Sequence, residues 1–265
     1  MNDETTDPEE KTQARALLPD NADPVVNYST AASRPGLLRG SATLEIQTRQ
    51  AQRLVYGRKK TEEKNHIIGL VRFGMNMKRI WLSASRDDPY ADWSLIQIEE
   101  TLNNARQSIN DLRQEIEALL STAAIGIQID IASSLKPIHI PLQFANAYGY
   151  MGAYLISDYD QLVCAILTAR HVGLIDRRDS TKTLHVIAQR VRHAFALSGV
   201  WKFTLVTRTD IRHENPKAQR AMEKLLPMGE LPQAVFEGHL RAQIAPEITT
   251  SDVGEPEIDE VSSAN

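Results

Sequence analysis

The chain has 265 residues, 42% of them hydrophobic and 24% charged, with a formal net charge of −4. That is enough apolar material for one sizeable core or two small ones, and no apolar run approaches the roughly 18 residues a membrane span needs. A single cysteine, Cys164, excludes an intrachain disulfide and cannot build a zinc site alone.

The first segment, MNDETTDPEEKTQ, is acidic and polar, unlike a secretory leader, so the compartment expected is the cytoplasm. Residues 1–35 hold seven acids against three bases, and residues 246–265 hold six acids and no base. Removing both leaves 27 bases and 21 acids. A basic body between acidic tails suits a polyanionic partner, while acidic tails also serve solubility alone. Disordered acidic tails are expected at 1–37 and 246–265, around a body at 38–245.

Structure is expected to start near Leu38. Residues 43–48 (TLEIQT) alternate, with Leu44 and Ile46 on one side, as in a half-buried strand. The polar side, Thr43, Glu45, Gln47 and Arg49, offers side chains of the kind that read base edges. Thr43, Gln47 and Arg49 are therefore candidates for base contact. From Arg39 to Arg79 there are ten bases against three acids, and Arg58, Lys59 and Lys60 are candidates for phosphate contact.

A helix is expected at 65–84, with Ile67, Leu70, Val71, Gly74, Met77 and Trp81 on one face. Asp88-Pro89 reads as a cap and first turn of the next. In that helix Leu95, Ile98, Leu102, Ala105, Ile109, Leu112, Ile116 and Leu119 follow a heptad seam. The seam can close a hairpin over 65–122 or meet another subunit. Two alternating segments, 124–131 and 137–144, suggest a hairpin, with Pro137 and Pro141 requiring an edge position.

Residues 149–197 read as a strand (Gly149–Ile156) followed by two helices. Ser157 and Asp160 look like a capping box for the first helix, and Asp179 or Ser180 can cap the second. Strand, helix, helix in this length is the size of a ribbon-helix-helix unit. Arg177, Arg178 and Lys182 surround the start of the second helix, where free N–H groups already favour phosphate. The strand, however, carries none of the usual base-reading side chains. A further strand is expected at Trp201–Thr207, then a short helix capped by Asn215-Pro216, and a last one in LPQAVFEGHL.

Enzymatic signatures are sparse. The SxxK pattern at Ser133–Lys136 lacks its companion motifs. The seven histidines are scattered, and no metal or other cofactor is expected. The fold class expected is α+β, mostly helical with a small antiparallel sheet and a ribbon-helix-helix unit.

The segments TLEIQTRQAQRLVYGR, IIGLVRF, DDPYADW, PLQFANAYGYMGAYLISDYDQLVCAILTARHVGLIDR and MGELP, spread over about Leu38–Pro246, resemble a family of integrating conjugative element proteins described as AcaB-like transcriptional regulators. The resemblance implies a ribbon-helix-helix regulator, a homodimer acting on double-stranded promoter DNA. The alternative is a non-catalytic accessory or scaffold protein of the conjugation machinery, binding other element-encoded proteins through the 95–119 seam.

Overall fold

The computed structural model describes residues 42–123 and 126–249. The expected tail at 1–37 lies outside the described residues, as do 250–265. Residues 246–249, expected to belong to the C-terminal tail, are held to the body instead. Arg241 Nη1 donates to the Pro246 carbonyl at 2.7 Å, and Thr249 N–H to the Ser85 carbonyl at 2.8 Å.

Strand β1 (Ala42–Ile46) buries Leu44 and Ile46 and exposes Thr43 and Glu45, as its alternation predicts. Thr48 caps helix α1 (Arg49–Tyr56), its hydroxyl accepting from Ala51 N–H at 3.2 Å. Gly57 ends α1 at φ +67, a conformation glycine adopts without a side-chain clash.

The helix expected at 65–84 starts later. Ile67 and Arg58 exchange backbone hydrogen bonds of 2.9 Å, so 58–67 is a closed loop, and α2 spans Leu70–Ala84. Its buried face is Leu70, Phe73, Met77, Ile80 and Ala84. Val71, expected inside, is exposed. The neighbouring position Phe73 supplies the larger apolar surface, and the stripe turns to bury it.

Asp88 and Pro89 open α3 (Pro89–Ala123) as expected, with Asp88 Oδ1 accepting from Tyr90 and Ala91 N–H at 2.9 and 3.1 Å. The seam from Leu95 to Ile109 is buried, but at its far end Leu120 is buried and Leu119 exposed. A straight helix at 3.6 residues per turn lags a heptad repeat by ~20° each time, so the stripe passes to the next residue. The seam closes inside the chain, where α3 packs on α2 and on the two later helices α4 (Ala147–His171) and α5 (Arg177–Leu197). It is therefore not a free partner surface.

The hairpin expected within 124–144 does not form. The second segment becomes β2 (Ile138–Leu142) and pairs antiparallel with β1, Ala42 opposite Leu142 and Ile46 opposite Ile138. Residues 126–135 run without regular structure. They are tied down by Ala132 N–H to Thr168 Oγ1 at 2.9 Å and Ser134 N–H to Gln47 Oε1 at 2.8 Å. β1 offers β2 a partner whose apolar face is already buried, which 126–131 does not.

The strand expected at 149–156 is the opening of α4. Tyr148, Gly152, Leu155, Ile156 and Tyr159 are buried at helical spacing while Tyr154 is half exposed. Gly149 and Gly152 belong in a helix here because neighbours need the room. A Cβ on Gly149 would stand 2.3 Å from Phe144 Cγ, and one on Gly152 2.8 Å from Phe73 Cε1. Fifteen of the 25 residues of α4 are buried, so it is the central helix, apolar nearly all round. Cys164 lies within it, and burial pushes its thiol up to about 11, an inert packed group.

Ser157 and Asp160 therefore sit mid-helix, not at a cap. Asp160 clasps the β1–α1 junction instead, accepting from Gln47 N–H (2.6 Å), Thr48 N–H (3.0 Å) and the Thr48 hydroxyl (2.5 Å). Burial still holds it above the usual carboxylate range. Asp176, rather than Asp179 or Ser180, caps α5 by accepting from Asp179 N–H at 2.8 Å.

Trp201–Thr207 is not a strand. Leu205 turns it through the left-handed region at φ +57 and no strand lies beside it. Thr207 and Asp210 form a capping box for α6 (Arg208–Arg212), and Asn215 caps α7 (Pro216–Leu225) as expected. A 3₁₀ turn (Leu226–Met228) and the short α8 (Gln233–Phe236) complete the body. The architecture is a helical core with a two-stranded antiparallel sheet.

Candidate nucleic-acid interface

A ribbon-helix-helix unit at 149–197 would need a strand where α4 begins, so only its two helices exist. The one ribbon among the described residues is β1–β2, made within the chain. Its outward face carries Thr43 and Glu45 opposite Pro141 and His139. Glu45 Oε2 lies 3.5 Å from His139 Nε2, so this face holds a carboxylate among its few polar groups. Gln47 is turned away, its side chain bonding Glu45 and the Ser134 N–H. Arg49 is exposed in the first turn of α1, off the strand. The three residues expected to read bases thus occupy three settings.

Of the cations expected to hold phosphate, only Arg58 borders a cleft that α5 also lines. Arg58 stands on one wall of a cleft of about 620 Å³, and Thr181 and His185 of α5 stand on the opposite wall. Lys182 follows Thr181, and Arg177 and Arg178 lie one helical turn earlier, at the exposed start of α5. Lys59 and Lys60 are exposed on the loop after Arg58. Arg58 is oriented by two bonds to the Asn65 carbonyl, Nε at 3.3 Å and Nη2 at 3.1 Å. Among the described residues none of these six cations forms an ion pair with a carboxylate. Asp176 caps α5 and Asp179 lies in its first turn beside Arg177 and Arg178, and Glu62 and Glu63 follow Lys60 in the loop, so acids are interspersed with these cations.

The strongest ionic cluster is elsewhere and was silent in the sequence. Arg208, from α6, is buried and donates to Asp87 Oδ1 and Asp92 Oδ2, both at 2.6 Å. It also donates to the Val235 and Phe236 carbonyls at 2.9 and 3.0 Å. Arg241 reaches both oxygens of Asp92, at 3.0 and 2.8 Å. Nearby, burial pushes Asp88 up to about 7 against its two backbone hydrogen bonds, with Asp92 adding repulsion and Arg208 opposing it. Asp88 Oδ2 finds no hydrogen-bond partner among the described residues. Asp87, Asp92, Arg208 and Arg241 together hold the 207–249 segment against the start of α3, while Asp88 caps that helix.

Among the described residues no group of three or more His, Cys, Asp or Glu side chains is placed to hold a metal ion. No helix there is long and apolar enough to cross a membrane.

A family model described as transcriptional regulator AcaB matches residues 34–249. No curated protein matches the chain. Among solved structures, the crystal structure of selenomethionine-containing AcaB from uropathogenic E. coli is similar at 14% identity and a TM-score of 0.50. The match covers 75% of this chain and 95% of that one, and at such identity it speaks for the fold alone.

Proposed function

As the chain belongs to the AcaB family of transcriptional regulators, we propose that it is a non-catalytic DNA-binding regulator of an integrating conjugative element, acting as a dimer on promoter DNA in the cytoplasm. What supports this reading is the exposed cations Arg58, Lys59 and Lys60 on one loop and Arg177, Arg178 and Lys182 at the start of α5, none in an ion pair among the described residues. Exposed cations on a helix N-terminus and a facing loop grip phosphate oxygens and fix the protein on the duplex without reading sequence. Base reading falls to Thr43, Gln47 and Arg49, of which Thr43 and Arg49 already face solvent.

The alternative, a scaffold for other element-encoded proteins, drew its partner surface from the α3 seam, and that seam is used up within the chain.

Fluorescence anisotropy with promoter fragments of the host element tests the reading. Affinity should drop steeply between about 50 and 200 mM salt, because each neutralised phosphate releases counterions. Replacing Arg177, Arg178 and Lys182 by Gln together should weaken binding to all sequences alike and flatten the salt slope. Absence of binding at low salt refutes the proposal. Unchanged affinity in the triple variant moves the phosphate contact away from α5. Light scattering of the free protein and of the complex reads the dimer.

A further inference from the structure

The cleft between α1 and α5 has more in it than a DNA backbone contact requires. Arg53 and Arg58 stand on one side, Arg170 at the end of α4 and Arg192 on α5. Leu54, Ile67, Leu184 and Ala188 supply apolar lining, and no Asp or Glu lines the cleft. None of the four arginines forms an ion pair with a carboxylate among the described residues. The buried Tyr159 also lines it, its hydroxyl no nearer than 3.5 Å to its one acceptor, the Leu184 carbonyl. Burial raises that hydroxyl to about 12, with Arg192 opposing, so it remains a donor at neutral pH.

Four arginines border one hollow with no carboxylate lining it, three of them exposed and Arg192 partly buried, so an anion seated there would be attracted by all four. Their planar forks suit phosphate, which they bind bidentately. At about 620 Å³ the hollow is within the range of small-molecule sites, which run from roughly 300 to 1,000 Å³. The apolar lining would take the uncharged part of such a molecule.

We propose that this cleft binds a small organic phosphate of nucleotide size, its phosphates among Arg53, Arg58, Arg170 and Arg192 and its organic body against Leu54, Ile67, Leu184 and Ala188. The site does not depend on the DNA-binding reading, since a nucleotide can occupy it whether or not the protein binds DNA.

Titration calorimetry on the full chain at constant ionic strength, with ADP and with inorganic pyrophosphate as probes, tests this. ADP should bind, and more tightly than pyrophosphate by about tenfold, because only ADP has a body for the apolar lining. It should also raise the melting temperature of the unaltered protein, a readout that needs no variant. Arg170→Gln and Arg192→Gln should each weaken ADP by about tenfold or more, while Arg220→Gln, exposed on α7, should not. Circular dichroism establishes that the variants fold, and if either does not, the melting shift of the unaltered chain decides. Neither heat nor a melting shift with millimolar ADP overturns the proposal. Equal affinity for the two probes, or ADP binding indifferent to Arg170→Gln and Arg192→Gln, overturns it as well. If DNA binding is lost in those variants and ADP never binds, the cleft is a groove for the nucleic-acid backbone, and the small-molecule site is refuted.

Discussion

Replacing Arg208 with Ala removes a buried guanidinium that makes four hydrogen bonds, two to carboxylates and two to the Val235 and Phe236 carbonyls. Asp92 is fully buried, so the loss of one partner strands part of its charge in a medium that solvates it poorly. Breaking a buried pair from one side costs about 3 to 5 kcal/mol. Arg241 keeps its two contacts with Asp92, which moves the expectation to the lower end, about 3 kcal/mol. In urea unfolding followed by circular dichroism at neutral pH, that is a midpoint lowered by about 1 M. Arg208→Lys keeps the charge but not the fork, and should lose about half as much. A loss below about 1 kcal/mol in Arg208→Ala would refute the assignment of this cluster as the clamp on the 207–249 segment.

Asp88 gives a pH dependence of definite sign. Its carboxyl is raised from 3.8 to about 7 in the folded chain, so it favours the fold fully below pH 3.8 and loses that contribution as pH rises through 7. The melting temperature should drop between about pH 4 and 7 and level off above, and Asp88→Asn, which keeps an oxygen for the Tyr90 and Ala91 N–H groups, should flatten that slope. A slope unchanged by Asp88→Asn would reject the buried carboxyl as its source. In α4, Gly149→Ala places a Cβ 2.3 Å from the Phe144 ring, and Gly152→Ala one 2.8 Å from Phe73. Thermal or urea unfolding should show each losing about 1 to 3 kcal/mol, although alanine is the better helix former. A gain in stability would mean that those rings move aside freely.

Patterns that depend on neighbours in the chain were legible in the sequence. Leu44 and Ile46 marked β1, Asp88-Pro89 marked the start of α3, and Asn215-Pro216 that of α7. What failed was decided by contacts distant in sequence. Gly149 and Gly152 read as strand because their worth lies in the rings of Phe144 and Phe73, which no local window contains. Asp160 looked like a cap because a clasp on Thr48 leaves no periodic trace. Residues 138–142 chose β1, nearly a hundred positions upstream, over the adjacent 126–131. In the candidate interface the residue types were legible, since Arg177, Arg178 and Lys182 are where a helix start was expected. The cleft was not legible. Arg53, Arg58, Arg170 and Arg192 come from three separated stretches, and only the packing of α1, α4 and α5 brings them together.

Asp92 also sets a timetable for the chain. It leaves the ribosome 116 residues before Arg208 and 149 before Arg241, and in the fold it is buried against both. Asp160 has the reverse schedule, arriving 112 residues after the Thr48 it holds. A nascent chain that has reached α5 can dock α1, but it lacks the two arginines that pair with Asp92 until the last forty or so described residues emerge. Products that stop short of Arg208 carry, in the first turn of α3, an acid without either arginine that pairs with it in the fold, and a protease that tests for loosened ends will meet them first.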